Sequence, residues 1–149
     1  MNITRKAYNF AKEKHDGTLY NSSPYVVHCK QTAMLLAPTL DQNLIAAGYL
    51  HDILEDTDVT FDTLENWFNK DIASLVWEVT KDSEGNFSNL KTERGLMLKC
   101  ADRLANVLSL PYVKDKEKRS RLFKKYSRLF LVEGKYMVDL KKKGGVAHV

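Results

Sequence analysis

Several things are missing from this chain, and each absence removes a class of protein. Cys29 and Cys100, its only two cysteines, form no CxxC pattern and fall inside apolar stretches, so reduced, buried thiols are expected rather than a disulfide framework. No apolar run approaches the roughly 18 residues of a membrane span. The opening MNITRKAYNFAKEK lacks the uninterrupted apolar core of a signal peptide. Together these point to a soluble cytoplasmic protein with no membrane partner. No segment alternates polar and apolar residues between hairpin signals, which argues against a fold built on sheet. There is neither an internal repeat nor a linker.

What is present fits one domain over residues 1–149, long enough to bury a core without disulfides. The formal net charge of +4 is concentrated. KDKEKRSRLFKKYSR, residues 114–128, holds eight lysines and arginines against Asp115 and Glu117, so the rest of the chain is slightly acidic. That distribution does not suit a protein that coats nucleic acid, and no specific nucleic-acid partner is expected. The segment reads either as a solvated helix face or as a basic wall beside a site for an anionic ligand.

Helical periodicity runs through the chain. Ile3, Ala7, Phe10 and Ala11 share one face of a first helix closed by His15-Asp16-Gly17. GTLYNSSP reads as a loop, and a second helix carries Tyr25, Val26, Cys29, Ala33 and Leu36 up to Pro38. Asp41 is placed to cap a third helix, which carries AAGYLHDILEDTD, and Thr60 to cap FDTLENWF with Phe61, Leu64, Trp67 and Phe68 facing inward. DIASLVWEVT is helical by Ile72, Leu75, Val76 and Val79, and KDSEGNFSN is a loop. A long helix over 92–110 stops at Pro111. A last helix runs from about Asp115 to the lysines before Gly144, with Gly134 as a weak point. The expected fold is an all-α bundle of about seven helices.

Some polar residues do not belong to that pattern. Between Leu44 and Leu54 the only strongly polar side chains are His51 and Asp52, and a helix apolar nearly all round is buried. A buried carboxylate without a partner is costly. Glu55 and Asp56 follow one turn later, so three carboxylates and a histidine are placed to border one cavity. Lys99, Asp102, Asn106 and Ser109 recur as a polar face among the apolar residues of the long helix, and His28 interrupts the apolar start of the second. Singly these read as a core histidine, an exposed helix end and a solvent-facing stripe. A divalent cation explains all of them at once, and two imidazoles with two carboxylates suit manganese, iron or zinc.

His28, His51-Asp52 and Asp102 resemble the H…HD…D signature of the HD-domain metal-dependent phosphohydrolases. The similarity is closest to the RelA/SpoT hydrolase domain and the stand-alone small alarmone hydrolases. HDGTLYNSSPYVVH resembles their HxGQxRK…PYxxHP segment, AAGYLHDILEDTDVTFDTL their AAxLHDxxEDT segment, and LKCADRLANV their KLADRLxN segment. VTKD, NLKTER and KKY extend the likeness in the same order. The resemblance implies a manganese ion held by His28, His51, Asp52 and Asp102. It implies that Glu55 and Asp56 serve the water that attacks the 3′-pyrophosphate of (p)ppGpp, a small-molecule nucleotide substrate. It also implies substrate contacts from Asn106, Lys91 and Tyr126. Lys125, on the basic wall, and Lys99, on the polar face of the long helix, are further candidates for contact with substrate.

The chain departs from the family where QxRK is replaced by Thr18-Leu19-Tyr20-Asn21, which removes a guanine-contacting basic pair and leaves Tyr20 to stack on a base. The proline of HP is Cys29, and the stretch from Arg94 to Lys99 is shorter. No room is left for a synthetase domain. The rival readings are an HD phosphohydrolase acting on another phosphorylated nucleotide, a regulatory module that binds a nucleotide without turning it over, and nucleic-acid binding through residues 114–128.

Overall fold

In the computed structural model, which describes residues 2–126, helices begin where the sequence supplies caps. The Asn2 side chain accepts from Arg5 N at 2.8 Å at the head of α1 (Ile3–Lys14). α2 (Tyr25–Leu36) follows Pro24 without a side-chain cap. Asp41 accepts from Leu44 N at 3.1 Å to start α3 (Gln42–Leu50). A short α4 (Ile53–Asp56) follows. Thr60, Asn69 and Thr92 then cap α5 (Phe61–Trp67), α6 (Lys70–Glu78) and α7 (Glu93–Ser109). Such a cap contributes about 1 kcal/mol. Single 3₁₀ turns follow α2 and α7, and residues 116–126 are again helical. The remainder of the expected last helix, with Gly134, lies outside the described residues.

α3 is the central element and packs against α1, α2, α6 and α7. Its Ala46 and Ala47 are fully buried, and a Cβ added at Gly48 would sit 2.8 Å from the Ala33 backbone of α2. The missing side chain is what brings α3 close to α2. Leu44, Leu50, Ile53, Leu64, Ile72 and Leu98 fill the interior. The all-α bundle expected from periodicity is the observed fold, and no helix among the described residues is long and apolar enough to cross a membrane.

Three local expectations are corrected. The GTLYNSSP loop contains a two-residue hairpin, β1 (Leu19–Tyr20) pairing antiparallel with β2 (Ser23–Pro24). Asn21 and Ser22 both take positive φ, 48° and 69°, as a tight two-residue hairpin turn requires. Trp67 does not face inward: it is 56% exposed, and Leu64 alone of that helix is fully buried. The third helix does not run through the polar pair, because His51 and Asp52 form a turn between α3 and α4.

Beside the apolar Leu96, Leu98, Ala101 and Ala105, the long helix α7 also buries a polar face. Lys99, Asp102, Arg103, Asn106 and Ser109 are all less than 10% exposed, whereas Leu104 and Leu108 are 40% and 57% exposed. The polar face is therefore not a solvent face.

Candidate metal centre and active site

Four side chains from three elements converge. His28 of α2, His51 and Asp52 of the α3–α4 turn and Asp102 of α7 each offer one ligand atom, and these atoms lie within 4.8 Å of one another. His28 Nε2 is 3.1 Å from Asp102 Oδ1. His51 Nε2 is 2.9 Å from Asp52 Oδ2 and 3.2 Å from Asp102 Oδ1, yet has hydrogen-bond geometry with neither. The other nitrogen of His51 settles its tautomer. Nδ1–H donates to the Gly48 carbonyl at 2.8 Å, which leaves Nε2 as the ligand atom. His28 Nδ1 has no hydrogen-bond partner in the structure, and its ring is held by stacking on Tyr20, centroids 4.5 Å apart at 23°.

The electrostatics show what the cluster requires. Burial disfavours charge on His51, but Asp52 and Asp102 outweigh it and hold the imidazole well above its ordinary pKa. Burial likewise works against the charge on Asp102, and His51, His28 and Lys99 overcome it, so its pKa lies well below the usual carboxylate range. Asp52 is lowered by His51 against the same penalty. Asp52 Oδ2 and Asp102 Oδ1 thus face the imidazoles, while Lys99 and Arg103 stand behind Asp102 Oδ2. A divalent ion between the imidazoles and the carboxylates would satisfy all four donors. The donor set of two imidazoles and two carboxylates fits such an ion.

Asp102 faces two ways. Its Oδ1 meets the histidines and, at 3.5 Å, the Asn106 amide, while Oδ2 lies 3.8 Å from Lys99 Nζ and 3.5 Å from Arg103 Nη1. Phe87, from the loop between α6 and α7, lies 3.3 Å from Lys99 Nζ and 5.6 Å from the Arg103 guanidinium, measured to the ring centre.

The other expected site residues fall in distinct places. Asp56 is pushed above the ordinary carboxylate value by burial and by the charges of Asp52 and Glu55. It borders a pocket of about 480 Å³ shared with Lys14, Asp58 and Trp67. Glu55 is exposed, and its Oε1 accepts from Lys81 N at 2.7 Å. Tyr20 does not lie open for stacking on a base. Its face covers His28, and its hydroxyl donates to Asn106 Oδ1 at 2.6 Å and lies 3.0 Å from Ser109 Oγ. Tyr126 joins this group through its contact with the Tyr20 hydroxyl and the nearby charges of Asp102 and Arg103. Lys91 packs over Trp77 at 4.8 Å, and Lys125 is exposed on the 116–126 helix.

Sequence reasoning missed Arg103, Phe87 and Tyr25. Phe87 was the single aromatic in an otherwise polar loop, the one signal that could have marked it. It also missed a second polar cluster away from the metal centre. Arg94 of α7 binds Asp41 through Nε (2.9 Å) and Nη2 (3.1 Å), and Asp71 through Nη1 and Nη2 (both 2.8 Å). It fastens together the heads of α3, α6 and α7.

A helical bundle with two histidines, an HD turn and a second aspartate whose ligand atoms lie within 4.8 Å of one another defines a class of protein, and the family comparison agrees. The HD domain family model matches residues 7–93, and the chain belongs to that family. Asp102 lies beyond the matched stretch. Among curated relatives, the guanosine-3′,5′-bis(diphosphate) 3′-pyrophosphohydrolase of Aquifex aeolicus is 34% identical over 141 residues, covering 85% of this chain and 20% of the relative. The enzyme of the same name from Spiroplasma citri is 37% identical over 128 residues, covering 74% and 17%. The Escherichia coli bifunctional (p)ppGpp synthase/hydrolase SpoT is 31% identical over 133 residues, covering 77% and 19%. The chain thus spans about a fifth of the length of these relatives. A solved structure of a metazoan ortholog of SpoT, described as hydrolysing ppGpp and playing a role in starvation responses, superposes with a TM-score of 0.73 at 26% identity. That match covers 85% of this chain and 83% of the other.

Proposed function

We propose that this chain is a metal-dependent phosphohydrolase that removes the 3′-pyrophosphate of (p)ppGpp. One observation carries the reading: a four-donor site within 4.8 Å, with the carboxylates of Glu55 and Asp56 one helical turn beyond it. His28, His51, Asp52 and Asp102 would hold the ion, and manganese is the one we favour. When bound, such an ion lowers the pKa of coordinated water and polarises a phosphoryl oxygen. Glu55 and Asp56 supply proton acceptors. The raised pKa of Asp56 brings it nearer the range in which a carboxylate works as a general base, while Glu55 is anchored to the backbone of the α6–α7 loop. Lys99 and Arg103, buried beside Asp102, favour an anionic ligand on that side of the site. A cytoplasmic location belongs to the same reading, since free nucleotides and reduced thiols are held there and Cys29 and Cys100 are both free.

One observation favours a second substrate within the same chemistry. Tyr20 stands where the family carries a basic pair, and its hydroxyl donates to the Asn106 amide oxygen. Another phosphorylated nucleotide is the alternative that follows. The test is pyrophosphate and phosphate release from a panel of nucleotides, with and without added Mn²⁺. Metal-dependent release of pyrophosphate from ppGpp is expected. Release from a different nucleotide alone would establish the second substrate. Metal binding without any release would establish a binding module.

A further inference from the structure

We propose that Tyr25 is a positioning residue for the metal centre, its hydroxyl fixing the Asp52 carboxylate from outside the ligand set. The inference rests on the metal-binding part of the proposed function and adds a residue to it. Asp52 is the ligand with the least local support. It sits in the α3–α4 turn at φ −100°, ψ 2°, and its side chain makes no capping hydrogen bond to α4. Three groups face its Oδ2: His51 Nε2 at 2.9 Å and His28 Nε2 at 3.9 Å, both of which metal binding would redirect, and Tyr25, whose Oη donates a hydrogen bond at 2.5 Å. A phenol donor is not displaced by an ion, because the carboxylate oxygen has a second lone pair. Hydrogen-bonded carboxylate ligands are better oriented, and loss of such an outer partner typically weakens metal binding or activity.

The phenol is itself held. Tyr25 opens α2 immediately after the hairpin, and its backbone N–H donates to the Thr18 carbonyl at 2.9 Å. The ring stands between three others: His15 at 4.8 Å and 33°, His28 at 5.7 Å and 73°, and Tyr20 at 5.9 Å and 87°. His15, buried to 3% exposure, is thereby given a place in the structure as the backing of Tyr25. The same hydroxyl faces Asp56. One side chain of α2 therefore registers a metal ligand on one side of α4 against a candidate proton acceptor at its end.

The test is Tyr25→Phe, which keeps the ring contacts and removes one hydroxyl. Mn²⁺ affinity is measured by competition with a chromophoric chelator, alongside the melting temperature of the metal-free protein. A loss of affinity of about 10–100-fold is expected, with the metal-free melting temperature held and, for the accepted nucleotide, kcat reduced more than KM is raised. Wild-type Mn²⁺ affinity in the variant would overturn the assignment. So would a loss of affinity matched by collapse of the metal-free fold, since the role would then be packing. Wild-type protein that binds Mn²⁺ but releases nothing from ppGpp would sink the substrate reading alone, and the affinity comparison would still decide the role of Tyr25.

Discussion

Two clusters of aspartates lie on this molecule, and they are neutralised in opposite ways. At the heads of α3, α6 and α7, Asp41 and Asp71 are met by Arg94 in a double fork whose donors are part of the chain. Between α2, the HD turn and α7, Asp52 and Asp102 turn one oxygen each toward two imidazoles, and only Asp102 has fixed cations beside it, Lys99 and Arg103 at its other oxygen. The first cluster is complete without help, and its bonds serve stability. The second is buried more deeply, and the oxygens that Asp52 and Asp102 turn toward the imidazoles are the ones an ion would take up. Carboxylates bonded to an arginine fork report on the fold, whereas carboxylates turned toward imidazoles report on a ligand.

The strongest way to break the comparison is at Asp102. Asp102→Asn should abolish stoichiometric Mn²⁺ binding and lower turnover by about 10⁴-fold or more, about 5 kcal/mol in the barrier, as read by metal analysis and pyrophosphate release. Glu55→Gln and Asp56→Asn sharpen it from within, since neither removes a ligand. Each should keep the metal while lowering kcat by about 10²–10³-fold. If only one does so, that residue is the proton acceptor.

Removing the ion by chelation should lower the unfolding free energy by about 2.7 kcal/mol relative to protein held at a hundred times the metal Kd. Denaturant titration with and without chelator measures this. The same comparison in Arg94→Met should give an equal metal increment on a lower baseline.

Arg94→Met itself should cost about 2 kcal/mol of stability through its charged hydrogen bonds, with kcat per folded molecule unchanged. The cost depends on pH with a definite sign. Hydrogen bonding to Arg94 holds Asp71 below its ordinary value, and it outweighs the effect of burial to do the same for Asp41. Their contribution is therefore complete above about pH 4, the unfolded carboxylate value. It is lost as pH falls through the lowered folded values. Melting curves of wild type and variant should converge below that window.

The sequence displayed the second cluster and hid the first, for a physical reason. His51-Asp52 stands out because everything around it is apolar, and Asp102 because it breaks an apolar helix, so burial could be inferred from context. Asp41, Asp71 and Arg94 are ordinary residues at polar helix heads, and nothing local distinguishes a partner three elements away from solvent. Asp41 was legible as a cap, which it is, but its second bond was not. The break at His51–Asp52 was equally hidden, since helical periodicity continues through it. Tyr20 was read by its type, an aromatic in a loop, and the hairpin that turns it onto His28 depends on two left-handed residues, Asn21 and Ser22, in place of glycine.

The buried polar face of α7 bears on how this protein tolerates change. Along most amphipathic helices the apolar positions are the intolerant ones. Here Leu104 and Leu108 are 40% and 57% exposed, while exchanges as mild as Asn106→Asp or Lys99→Met alter the buried charge beside Asp102. Variation along α7 is thus set by electrostatic balance as well as by the burial of Leu96, Leu98, Ala101 and Ala105, and a substitution scale built on apolar burial alone would misplace Lys99, Asp102 and Asn106.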